Sequence, residues 1–176
     1  MTDQDMNSAV KNFLASPRFA VAGASSDPSK FGHRGRLPYK PIPHNSHLHC
    51  IVFAWYLQRS LPVTPLNPSR PSVSVSSKDY DTVPSPSALQ QPKETGLSVI
   101  TPPAVTKKLL QEAKEAGVRA VWLQPGSFND DILEYAMKEF PGAAVGGDGG
   151  RGGEGWCVLV DGDGGLRAAG REQGRL

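Results

Sequence analysis

Short apolar segments alternate with helix-length amphipathic ones along most of the chain. The stretches that end the apolar segments are rich in glycine, proline, serine and asparagine. Strands joined by helical crossovers build a parallel sheet covered on both faces. One apolar segment, Phe19–Gly23, also runs into a loop of small residues, the way a first strand meets a phosphate-sized ligand in such sheets. These observations predict an α/β fold, a Rossmann-like three-layer sandwich around a mostly parallel five-stranded sheet.

Residues 8–16 predict a first helix, with Val10, Phe13 and Leu14 on one face and Pro17 as its stop. Phe19–Gly23 is the first strand, Asp27-Pro28 a turn, and a crossover helix should begin near Lys30. That helix is interrupted. Gly35, Pro38, Pro41 and Pro43 exclude it, since each proline costs about 3 kcal/mol in a helix interior. Phe53–Arg59 then reads as its second half, so residues 34–51 read as an insertion, of the kind a retained intron or a misplaced gene boundary leaves. Leu61–Leu66 is the second strand, and its two prolines place it near a sheet edge.

Ser69–Gly96 is rich in serine and proline and predicts a surface loop with one helical turn at Pro86–Leu89. Leu97–Ile100 is the third strand. Thr101 should cap a helix with Pro102 at its first position, ending at Ala116 before Gly117 and turning Val105, Leu109, Leu110 and Ala113 inward. Val118–Leu123 is the fourth strand. Asp130–Phe140 is a helix with Ile132, Leu133, Tyr135 and Ala136 as buried candidates. Ala143–Val145 starts a fifth strand interrupted by the glycine-dense Gly146–Gly155, with Cys157–Val160 apolar again, and Leu166–Gln173 forms a terminal helix. The domain thus spans residues 8–170, with insertions at about 34–51 and 146–156.

Length and composition narrow the function. At 176 residues, one domain can bury a real core. A net charge of +2 gives no argument for nucleic acid. Two cysteines, Cys50 and Cys157, make no disulfide framework and favour a reducing compartment. No apolar run approaches the ~20 residues a membrane span needs, and the acidic N-terminus resembles no signal or transit peptide, so a cytoplasmic location is expected. The four histidines, His33, His44, His47 and His49, lie in or beside the insertion, with Cys50 adjacent. They have ligand chemistry but no second flanking pair, so no metal site is expected. Asp161-Gly-Asp-Gly-Gly resembles a calcium loop without its distal glutamate and reads as a turn. No catalytic set is apparent.

Ligands of such sheets bind at the carboxyl ends of the strands. Here those ends are Gly23–Gly32, Asn67–Arg70, Thr101–Pro103 and Gln124–Gly126. The first lacks the glycine spacing of G-x-G-x-x-G and the lysine of a Walker loop. Its small residues, with Ser25, Ser26 and Lys30, still suit a diphosphate. The second strand ends without the acid that an NAD ribose requires, and Arg70 suits a phosphorylated ribose, as in NADP or coenzyme A.

Gly-Ala-Ser-x-x-Pro-x-Lys-x-Gly, Pro-Val-x-Pro-x-Asn-Pro, Ile-Thr-Pro-Pro and Val-Trp-Leu-Gln-Pro-Gly, in this order, make the chain resemble the stand-alone CoA-binding domain family. That family is similar to the N-terminal domain of the succinyl-CoA synthetase α subunit. The resemblance implies that coenzyme A or an acyl-CoA is held by its phosphates at Gly23, Ala24, Ser25 and Ser26 and at Lys30, Phe31 and Gly32. It places Asn67 and Pro68 by the adenosine, and Thr101, Pro102, Pro103, Gln124, Pro125 and Gly126 along the rest of the crevice. Cys157 matches a cysteine that family members often carry, and reads on its own as a small core residue. The expected function is a CoA-binding module without chemistry of its own, whose partner is a small-molecule nucleotide cofactor. An NADP-dependent oxidoreductase, or a chain whose insertion has abolished binding, are the alternatives.

Overall fold

The computed structural model describes residues 3–25 and 51–171 of the chain. Its centre is a five-stranded sheet built from β1 (Arg18–Ala22), β2 (Val63–Leu66), β5 (Thr95–Val99), β6 (Ala120–Leu123) and β7 (Ala144–Val145). The strands lie in the order β2-β1-β5-β6-β7 and every pairing is parallel. Helices α1 (Asp3–Leu14), α2 (Ile51–Gln58) and α5 (Val158–Ala168) cover one face, and α3 (Pro103–Ala116) and α4 (Asp130–Glu139) the other. The α/β, Rossmann-like sandwich predicted from the sequence is the fold observed.

Side-chain alternation builds both core layers from the same strands. Phe19 and Val21 of β1 and Trp122 of β6 join α1, α2 and α5, whereas Ala20, Ala22, Val121 and Leu123 join α3 and α4. Trp122 is fully buried, stands edge-on to Phe13 and donates its Nε1–H to the Trp156 carbonyl at 3.1 Å. The Tyr56 hydroxyl meets the Ser98 Oγ at 2.6 Å inside this layer, and burial pushes the phenol well above its ordinary range against the pull of that hydrogen bond.

The two prolines of β2 have the expected consequence. β2 is the edge strand, and Pro65, which has no N–H to offer, receives the Val83 N–H on its carbonyl at 3.0 Å. The first helix starts a turn earlier than the sequence suggests, because buried Met6 extends the stripe of Ala9, Val10 and Phe13 upstream. α2 begins at Ile51, two residues before the expected second half of the crossover helix at Phe53. The rest of the expected insertion, with Cys50 and all four histidines, lies outside the described residues.

Several expectations are corrected. Within Ser69–Gly96 the chain forms an antiparallel hairpin, β3 (Ser72–Val75) and β4 (Lys78–Asp81), besides 3-10 turns at Pro86–Ala88 and Pro92–Glu94. Val73 and Val75 are buried and alternate with serines, a period-two signal masked by the serine content. Thr101 does not cap α3, whose N-cap is Pro102; the Thr101 hydroxyl instead meets that of Thr106 at 2.8 Å. The inward face of α3 is accordingly Thr106, Leu110 and Ala113, with Val105 51% exposed. Cys157–Val160 does not extend a strand and Asp161 is in no turn: Val158–Ala168 is one helix, which takes in only Leu166–Ala168 of the segment expected to form the terminal helix.

Glycines inside α5 disguise it, and packing explains two of them. A Cβ on Gly162 would lie 2.4 Å from the Trp55 ring, and one on Gly165 2.4 Å from Leu14 and 2.5 Å from Val10. α5 approaches α2 and α1 more closely than any side chain would permit. The buried Asp161 carboxylate ties the preceding loop to this helix, accepting from the Arg151 N–H at 2.9 Å and the Cys157 N–H at 3.0 Å.

Candidate functional site

The chain leaves β1 towards β2 on one side, and β5, β6 and β7 follow on the other, so strand order reverses between β1 and β5. A crevice opens at the carboxyl ends of strands at such a point. The residues ending β1 and β5 meet there. Gly23 has φ +93°, and a Cβ on it would lie 3.0 Å from the Ile100 Cγ1 and 3.2 Å from the Thr101 backbone nitrogen. Only glycine gives both this conformation and this approach.

The loop after β1 is held from its other side by β2. Asn67 donates its Nδ2–H to the Ala24 carbonyl at 2.8 Å and accepts the Ser69 N–H on Oδ1 at 2.9 Å. Its own N–H is bonded to the Val83 carbonyl at 3.0 Å. Asn67 therefore holds the shape of two strand-end loops. Ala24 and Ser25 are buried beneath them, while Pro68, Ser69 and Arg70 are exposed.

Beyond β5, Thr101 and Pro103 are half-buried and Pro102 is exposed. After β6, Gln124 is 4% exposed and its amide is oriented: Oε1 accepts the Val158 N–H, in the first turn of α5, at 2.9 Å. The Gln124 Nε2 is buried with no hydrogen-bond partner among the described residues. Gly126 has φ +89° with open space where a Cβ would point, and Pro125 is exposed against Gly155. Cys157, at the N-cap of α5, is half-buried, and burial pushes its thiol up against the opposing N–H groups of Leu159 and Val160.

Gly23, Ala24, Ser25, Asn67, Pro68, Arg70, Thr101, Pro102, Pro103, Gln124, Pro125 and Gly126 all lie at this end of the sheet. Ser26, Lys30, Phe31 and Gly32 lie outside the described residues. Three contributors escape the sequence reading. Val83 fixes Asn67, the Val158 N–H fixes Gln124, and Gly146–Gly147 follow β7 at the same end. The first two act through backbone atoms, which no side-chain motif records. Glycine content marks the third. Two hollows, of about 450 Å³ beside α1 and α5 and about 350 Å³ beside β1 and β2, include none of the predicted residues. No helix among the described residues is long and apolar enough to cross a membrane.

These features define a parallel α/β protein with a strand-end crevice at its switch point. The chain belongs to the CoA binding domain family, whose sequence pattern matches residues 44–152. The match takes in β2, β5, β6 and β7 and leaves β1 and its loop outside. The fold is shared with a conserved hypothetical protein from Pyrococcus furiosus, at 24% identity and a TM-score of 0.51 over 69% of this chain and 86% of that one. A hypothetical protein from Pyrococcus horikoshii shares it at 20% identity and a TM-score of 0.57, covering 82% and 84% of the two chains. So does a protein from Thermus thermophilus, at 23% identity and 0.55, covering 82% and 90%. No curated protein matches the chain.

Proposed function

We propose that this protein is a CoA-binding module that holds coenzyme A, or an acyl-CoA, in the crevice at the carboxyl ends of β2, β1, β5 and β6. Family membership carries the reading, and the chemistry of the crevice suits the ligand. Gly126 leaves open space where a side chain would point, and Gly23 lets the loop after β1 close onto Ile100 and Thr101. The unpartnered Gln124 Nε2 is a donor of the kind that a pantetheine carbonyl satisfies. Arg70 is an exposed cation after β2, suited to the 3′-phosphate that distinguishes coenzyme A from its dephospho form. Coenzyme A supplies the thiol and its acyl chemistry; the chain's residues bind and orient it.

Titration calorimetry of the purified chain with coenzyme A, NADP and NAD tests this. Micromolar binding of coenzyme A without response to NADP is expected, and silence towards coenzyme A overturns the reading. Arg70→Gln should weaken coenzyme A about tenfold, as loss of a charge-assisted contact does, and leave dephospho-CoA unchanged.

A further inference from the structure

The amino ends of the strands carry a second feature, away from the crevice. In many parallel sheets a helix covers the strands between the second and third in sequence. Here the path from β2 to β5 is the β3–β4 hairpin and two 3-10 turns. Ala20 of β1 stands between Thr64 of β2 and Leu97 of β5 in the paired register. A hollow of about 350 Å³ lies at the amino ends of these strands, lined in part by Pro62, Val63, Val83 and Leu89.

Its polar lining has one sign. Alternation places Arg18 on the same face as Ala20 and Ala22, and Thr64 on the face of Leu66. Parallel register sets Arg18 beside Thr95. Arg18 is the sole charged residue of the lining, which otherwise offers Thr64, Gln90, Gln91 and Thr95. The Thr95 hydroxyl is spent on the Gln91 carbonyl at 2.7 Å. The Arg18 guanidinium, the Thr64 hydroxyl and the two glutamine amides make no hydrogen bond or ion pair with the described residues. Arg18, Gln90 and Gln91 are exposed, so the hollow is an open cleft of mixed lining, and a cleft of this size with a few convergent polar groups suits a small ligand.

We propose that this hollow is a second ligand site, for a small organic anion: a carboxylate paired with Arg18, with its apolar body against Val83 and Leu89. A guanidinium recognises a carboxylate through two parallel hydrogen bonds, and the glutamine amides add donors beside it. No acidic side chain in the lining opposes the ligand. The site uses no crevice residue and stands whether or not the crevice takes coenzyme A.

Hexanoate, hexanamide and hexylammonium probe it by ¹⁵N–¹H NMR titration of the full chain. Hexanoate should give saturable shifts at the backbone amides of Arg18, Thr64, Leu89 and Gln91, at least tenfold weaker for hexanamide and absent for hexylammonium. Arg18→Gln should cost about tenfold in hexanoate affinity, and Leu89→Trp should abolish the shifts by filling the cleft, with each spectrum reporting that the variant is folded. Absence of saturable hexanoate shifts at these amides overturns the proposal. So does equal binding of hexylammonium, or an Arg18→Gln variant that binds hexanoate undiminished.

Discussion

Asn67 illustrates how a residue type and its role come apart. The family resemblance implies a place beside the adenosine, yet the side chain spends its donor on the Ala24 carbonyl and its acceptor on the Ser69 N–H. Both bonds are internal, so its amide shapes the loop that follows β1. Asn67→Asp keeps the acceptor for Ser69 and sets an oxygen against the Ala24 carbonyl. Leaving a carbonyl without its partner costs about 1–3 kcal/mol. In the free protein, the Ala24 and Ser25 amides should then exchange with solvent about tenfold faster than in the parent chain. A residue that served only by touching a ligand would leave this exchange unchanged, and that result would refute the positioning role.

At the scale of elements, the test case is α5, where three glycines interrupt an eleven-residue helix. Glycine in a helix interior costs about 1 kcal/mol relative to alanine, so each should be improvable. The structure separates them. At Gly162 the added methyl would enter the Trp55 ring at 2.4 Å, and Trp55 is buried and cannot yield. Gly162→Ala should destabilise by about 1–3 kcal/mol, the usual penalty of overpacking. At Gly164 the nearest atom is the Arg151 guanidinium at 2.6 Å, the free end of an exposed side chain that can swing away. Gly164→Ala should be neutral or stabilise by up to about 1 kcal/mol. Urea unfolding of the two variants decides it, and equal effects of the same sign would show that helix propensity, not the Trp55 contact, governs α5.

For the molecule as a whole, the fold was legible because it rests on side-chain periodicity. β1 and β6 hold apolar runs, β5 carries Leu97 and Val99 in a buried strand, α3 and α4 are amphipathic, and the prolines of β2 announce an edge. The crevice was legible in part, as four strand-end segments. What could not be read were interactions fixed by distance in space rather than in sequence. Val83 holding Asn67, Val158 holding Gln124, and α5 lying on Trp55 are the instances. One such long-range tie joins the residue that follows α2 to α5. Arg59 stacks 4.1 Å from the Trp55 ring and binds both Asp163 oxygens, at 2.5 and 2.8 Å. The hydrogen bond to Arg59 comes first among the causes that hold the Asp163 carboxyl below its ordinary range. A lowered folded-state pKa means that the unfolded chain takes up the proton first as pH falls. The pair's contribution is therefore complete above the unfolded value of about 3.9 and is lost as pH falls through the lower folded value. Asp163 is half-exposed, which limits that contribution to about 1 kcal/mol or less. Asp163→Asn should accordingly be less stable than the parent at pH 7 by about that amount. The gap should close as the pH falls from about 4 through the lower folded value, below which the parent's Asp163 is protonated in both states. Denaturant midpoints of the two proteins from pH 7 to pH 2 measure it directly, and a gap that stays constant through the acid range would show that Arg59–Asp163 does not fasten α2 to α5.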